Sequence, residues 1–287
     1  MTIIVTYASY PIAIQVSDRR LTWPDGSIAD DDATKSILWN DAWIISFTGL
    51  ARIDGKPTHL WLSELLANNH KNLSTGYLDR KIALLGKIIG NRIWAQPIAR
   101  RNKKLAIIGV GWGMPWDVGE PGPEGLRIYA WHLSNFLDKN GDATDHVRRS
   151  FDFGTFQGRP LRKTEMGILS HGKEMEPHEW SRLCRLSRRA RIKTTGPIPT
   201  ARLLIDSVQR MRSPLVSKTV LVSSLPLPRL KRESLTLNRL PNLEVPSFCY
   251  VGPNNEWRLQ HGPAIVSGGS ITETIEIRYG EALSWPR

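Results

Sequence analysis

Two cysteines in 287 residues, Cys184 and Cys249, are too few and too widely separated for a disulfide framework or a cysteine metal site. No apolar run approaches the roughly 18 residues that a membrane-spanning helix needs. No basic segment followed by a long apolar core opens the chain, so no signal peptide is expected and the expected compartment is the cytoplasm. The chain has no G-x-S-x-G elbow. Its Gly-rich stretch VGWGMPWDVGEPGPEG lacks the Lys-Ser/Thr of a phosphate loop, and the tail segment VSGGS reads as a turn. His132, His146, His171 and His178 match no H-E-x-x-H spacing, which makes them scattered loop or surface histidines and leaves no metal site expected.

Basic residues, in contrast, are in excess. The net charge is +12, much of it in ARRNKK (Ala99–Lys104) and SRLCRLSRRARIK (Ser181–Lys193). Such a balance raises nucleic acid as a partner. There is nevertheless no zinc pair, RNA-binding strand motif or clear helix-turn-helix, and charge alone supplies only non-specific affinity. The arginine row of the second segment reads equally as a solvated helix face or an oligomer contact. Of the eleven tryptophans, Trp23, Trp112 and Trp116 fall in expected loops, where they are candidates to line a cleft.

The first fifty residues read as strands: IIVTYA, IAIQVSD, TKSILW and AWIISFTG, with turns at WPDG and Asn40–Asp41. The period then changes. PTHLWLSELLANNH, with Thr58 as the expected N-cap, and LDRKIALLGKIIGNRIWAQ read as two helices. KLAIIGVGW, LRIYAWHLSNF, FDFGTFQG and TEMGILSHG return to strand. EPHEWSRLCRLSRRA and PTARLLIDSVQRMR are two further helices, and KTVLVSS a closing strand. Strands and helices segregated in runs predict an α+β fold. The expected division is one domain over residues 2–224 and an extension over 225–287. That extension reads as an irregular proline-rich arm followed by a hairpin containing ITETIEIRY.

Four features of the β-first segment share an order and a spacing: Thr2 behind the initiator Met1, Asp18 and Arg20 in SDRR, Lys35 in ATKSI and Gly49 in FTGLA. Together they resemble the proteasome-like N-terminal nucleophile hydrolases, which include proteasome β subunits and the bacterial two-component threonine protease. The resemblance implies a four-layer αββα sandwich, loss of Met1, and amide hydrolysis through an acyl-enzyme on Thr2. The substrate would be a peptide or another amide, with no cofactor. It also implies a homo-oligomer and leaves room for an ATP-driven unfoldase partner.

On that resemblance, the free amine of Thr2 would take the hydroxyl proton, since its reference pKa of about 7.7–8.0 leaves part of it neutral. Lys35 would keep that amine deprotonated, Asp18 would compensate the lysine, and Arg20 would brace the loop. The Gly49 N–H would face the developing oxyanion, a donor typically worth about 3–4 kcal/mol. Ser170 in GILSHG stands for the serine that supports the amine, with Thr155 the alternative. Two positions depart from the family: Leu50 follows the glycine where a small residue is usual, and Pro214 takes the place of the later Asp, with Ser217 for the serine after it. A silent scaffold and a basic nucleic-acid-binding protein are the other two readings the chain admits.

Overall fold

Alternation along the central strands decides the architecture. In the computed structural model, β1 (Ile3–Ser9) and β2 (Ile12–Asp18) are buried along their whole length, so both faces of this sheet must be covered. Ile3, Val5, Tyr7, Ile12, Ile14 and Val16 pack on one side against Leu183, Ala201, Leu204, Ile205 and Val208. These come from the helices α3 (Pro177–Arg189) and α4 (Ile198–Gln209). The intervening residues point the other way: Ala8 and Ala13 meet Ile44 and Val110, and Ile4 meets Ala106 and Ile108. Those partners belong to a second sheet, built around β6 (Trp43–Gly49) and β9 (Leu105–Gly113). Its opposite face carries Trp43, Ile45 and Phe47 against Leu62, Leu65, Ile82, Leu85 and Ile89, contributed by α1 (Thr58–Asn68) and α2 (Leu78–Trp94).

The structure describes residues 2–10, 12–23, 27–39, 42–69, 73, 78–113, 127–138, 141–144, 146–155, 161, 166–189, 198–226, 247–253, 257–261, 264–265, 271–272 and 275–277. The expected turns at Pro24–Gly26 and Asn40–Asp41, the Gly/Pro stretch 114–126, Trp116 and the arm at 227–246 lie outside them. Within the described residues the remaining strands are β3 (Leu21–Thr22), β4 (Ile28–Asp30), β5 (Ser36–Trp39), β7 (Arg52–Ile53), β8 (Lys56–Pro57), β10 (Arg127–Ser134), β11 (Asp152–Thr155), β12 (Met166–Gly172), β13 (Val220–Pro226), β14 (Ser247–Val251), β15 (Trp257–His261), β16 (Ala264–Ile265), β17 (Ile271–Thr272) and β18 (Ile275–Ile277). The first sheet runs β12-β1-β2-β13-β14-β15-β18 and the second β11-β10-β9-β6-β5-β16-β17. Their pairings are antiparallel except for β16 on β5. This is a mixed, α+β protein, as the segregated runs predict. Among the described residues no helix is long and apolar enough to cross a membrane.

Three expectations are revised. The tail is not a single added hairpin: β14, β15 and β18 prolong the first sheet, while β16 and β17 prolong the second. The continuous strand expected in ITETIEIRY is two short ones, β17 and β18, belonging to different sheets. Thr58 is the first helical residue, and Pro57 holds the cap position. The Thr58 hydroxyl instead donates to the Leu50 carbonyl at 2.7 Å, tying α1 to the end of β6.

Candidate active site

Thr2 stands immediately ahead of β1, and the antiparallel β1–β2 register returns Asp18 to it: Ile4 pairs with Ser17, and the Ile3 N–H donates to Asp18 Oδ1 at 2.8 Å. Lys35 arrives from the other sheet, one residue before β5, and its backbone carbonyl accepts from the Phe47 N–H. The side chain crosses between the sheets. Lys35 Nζ lies 2.7 Å from Thr2 Oγ1 and 3.2 Å from Asp18 Oδ1, and it also donates to the Arg20 carbonyl. Lys35 and Asp18 are fully buried, and Thr2 nearly so. Beside Lys35, Ser36 and Ser46 share a hydrogen bond of 2.6 Å, and Ser46 donates to Gln15, which donates to Thr6. This polar chain joins the two sheets directly behind the site.

Burial pulls the Lys35 ammonium down to about 8, with Asp18, then Asp30 and Asp31, opposing that fall. Asp18 is held by more than the lysine, for its Oδ2 accepts from the N–H groups of Arg20 (3.1 Å) and Ser217 (3.4 Å). Arg20 braces the neighbouring loop. Its Nε and Nη2 bind Asp31 at 2.6 and 2.9 Å, and its Nη1 donates to the Pro214 carbonyl. The paired charge raises the Arg20 guanidinium and holds Asp31 below the usual carboxylate range. The segment that carries Pro214 in place of an acid therefore still reaches the site, through backbone groups.

Gly49 ends β6 at φ +111°, and a Cβ there would lie 2.1 Å from the Lys104 carbonyl oxygen, so only glycine fits this turn. Gly172 closes the site from the opposite side. At φ +93°, its Cβ would overlap the Thr2 carbonyl oxygen at 1.9 Å and come within 3.4 Å of Thr48 Oγ1. Thr2, Gly172 and the end of β6 therefore meet at one point. The Lys173 N–H donates to the Thr2 carbonyl at 2.8 Å and fixes the residue's backbone.

Thr2, Asp18, Arg20 and Lys35 are brought together, with Gly49 adjacent through Thr48. Ser170 is not. It pairs with Val5, three positions along β1 from Thr2, about 10 Å at strand rise. The residues next to Thr2 are Gly172 and Lys173, because the β1–β12 register pairs Ile3 with Gly172. Thr155 sits on β11, an edge of the other sheet. Met1, whose loss the nucleophile reading requires, lies outside the described residues.

Trp112 is 3 % exposed, on β9 and edge-on to Tyr10, so it lines no cleft; Trp23 is exposed beyond β3. His132 and His171 are strand residues whose rings stack across the two sheets at 5.8 Å. They are not loop histidines. Burial lowers both, His171 to about 3. His132 Nε2 bonds the Asp138 carbonyl at 2.7 Å, while His171 Nδ1 is buried with no hydrogen-bond partner among the described residues. Among the described residues no group of three or more His, Cys, Asp or Glu side chains is arranged to hold a metal.

Compared with protein-family models and with curated proteins, the chain matches none.

Proposed function

We propose that the protein is a threonine-type N-terminal nucleophile hydrolase, in which Thr2 attacks an amide, most readily a peptide bond. The observation that carries this reading is the buried Lys35 ammonium 2.7 Å from Thr2 Oγ1, with Asp18 completing the triad. A solvated lysine at a strand start has no reason to be fully buried against a hydroxyl and a carboxylate. The two sheets back to back, each with its own helix pair, support a four-layer αββα reading.

With Met1 removed, the Thr2 amine lies close to Lys35, and like-charge repulsion keeps it neutral. The amine takes the Oγ1 proton as oxygen attacks the carbonyl carbon. The oxyanion forms against the Gly49 N–H, and the protonated amine gives its proton to the departing nitrogen. Water then enters, loses a proton to the same amine, and hydrolyses the ester to release the acid. Gly49 and Gly172, on either side of the buried Thr2, are themselves exposed. We place the protein as a homo-oligomer in the cytoplasm; an unfoldase partner would deliver folded substrates to such a site.

Intact mass spectrometry before and after incubation with a β-lactone or peptide epoxyketone tests this directly. The expected result is one adduct on the Met-less chain and none on Thr2→Ala. A folded, Met-less chain that forms no adduct would leave a silent scaffold of the same fold.

A further inference from the structure

The charge of this chain is concentrated in one stretch of its sequence. Pro177–Arg212 carries nine Lys and Arg residues against two acids, Glu179 and Asp206, a net of +7 out of +12 for the whole protein. It includes α3 and α4, the helix pair on the outer side of the first sheet, with residues 190–197 outside the described ones. Eight of the nine bases are arginine. The inner face of α3 is settled: Leu183 and Ser187 are buried, and Trp180 packs on the core beneath. Arg182, Arg185 and Arg188 follow one another at three-residue steps, which sets them in a row along the helix. Arg182 has an acid near, Glu179 at 3.3 Å. Among the described residues, Arg185 and Arg188 are exposed and make no ion pair, and the same holds for Arg210 and Arg212 just past the end of α4.

We propose that this helical layer binds the phosphodiester backbone of nucleic acid, independently of the hydrolytic site. The chemistry of the face selects among the polyanions. An anionic membrane surface is held by a helix that also buries apolar side chains, and the outward residues of α3 (His178, Ser181, Arg185 and Arg188) offer none. A protein partner would need an apolar interface core, equally missing from that row. Phosphate backbone binding needs only a file of cations, and the guanidinium fork suits phosphate oxygens better than an ammonium does.

The test is fluorescence polarisation with a labelled 20-nucleotide single strand and a 20-base-pair duplex, on the full chain, from 50 to 300 mM salt. Binding should weaken linearly on a log–log plot of affinity against salt. Arg182→Gln/Arg185→Gln/Arg188→Gln should lower the magnitude of that slope by roughly 2–3, at about 0.7–0.9 per phosphate contact, with the melting curve and the Thr2 adduct unchanged. The corresponding Lys triple should keep most of the slope. A control triple on α2, Arg80→Gln/Lys81→Gln/Lys87→Gln, separates loss of this row from loss of net charge. No binding at 50 mM salt overturns the proposal. So does an undiminished slope in the α3 variant, an equal loss in the control, or binding to phosphatidylserine vesicles in place of nucleic acid. Adduct formation reads the hydrolase separately, so either conclusion can fail alone.

Discussion

Replacing Lys35 by methionine removes the one group that sits in the site at a cost to the fold. The folded lysine titrates at about 8, against 10.5 when unfolded, because burial outweighs Asp18 and the two further acids. The drop is worth about 3 kcal/mol at roughly 1.4 kcal/mol per pH unit. Below pH 8 both states are protonated and the folded state bears the whole penalty. Between pH 8 and 10.5 the unfolded chain holds a proton that the folded chain has released, so stability should rise with pH. Above 10.5 the effect levels off. Lys35→Met should abolish this rise. At pH 7 the variant should be at least as stable as the parent, since Asp18 keeps the N–H groups of Ile3, Arg20 and Ser217. Its gain should stay below about 3 kcal/mol, because the bonds to Thr2 Oγ1 and the Arg20 carbonyl go with the lysine. Urea unfolding of both proteins at pH 7, 8, 9 and 10 measures this, and the epoxyketone adduct reports the site. Loss of the adduct without loss of stability marks a lysine retained for chemistry. If the parent shows no alkaline rise and the variant is weaker by 3 kcal/mol or more, the lysine is a structural ion-pair partner and the reasoning fails.

Asp18→Asn should behave oppositely, destabilising by about 3 kcal/mol, because three backbone donors lose their anion and Lys35 loses its counter-charge; guanidinium midpoints give the value. Gly49→Ala meets a positive φ and the Lys104 carbonyl at once, so a loss of at least about 2 kcal/mol is expected, with adduct formation abolished in whatever remains folded. A Gly49→Ala variant as stable as the wild type would contradict the close approach. Acid should weaken the protein well above the carboxylate range. His59 and His171 titrate at about 4 and about 3 in the fold, both lowered chiefly by burial. From pH 6.5 downward the unfolded chain takes up protons at these two rings that the folded chain refuses, and these two alone account for a loss of about 2.7 kcal/mol per pH unit between roughly pH 6 and 4.5. His171→Gln should halve that slope; a slope unchanged by the variant would show that the ring is solvated.

What the sequence discloses here is governed by distance along the chain. The strands that form β1, β2 and β6 are legible because most of their residues are β-prone and apolar, serving one or the other of two buried faces. The set Thr2, Asp18, Lys35 and Gly49 lies within the first fifty residues, where strand ends are placed by short connections. Ser170 fails because its position depends on the register between β1 and β12, segments more than 150 residues apart, and a shift of two residues moves a side chain by one full strand repeat. The pairing of His132 with His171 across two sheets has the same origin. The tail escapes for a different reason. β16, β17 and β18 are two or three residues long, shorter than any period can mark, and the edges of the existing sheets decide where they go.

The departure at Pro214 bears on how such a site is kept in order. An acid there would bring a second negative charge close to Asp18, and it would need its own counter-charge. Proline offers a carbonyl instead, which Arg20 engages, while Ser217 supplies its N–H to Asp18 and its hydroxyl to the Thr219 N–H. The loop is thus fastened by uncharged backbone groups on either side of one buried ion pair. On the proposed hydrolase reading, the protonation state of the Thr2 amine would then rest on Lys35. On that reading, nucleophilicity and stability would depend on pH through the same Lys35 titration, near 8, in opposite senses: the reaction needs the ammonium that the fold is penalised for burying.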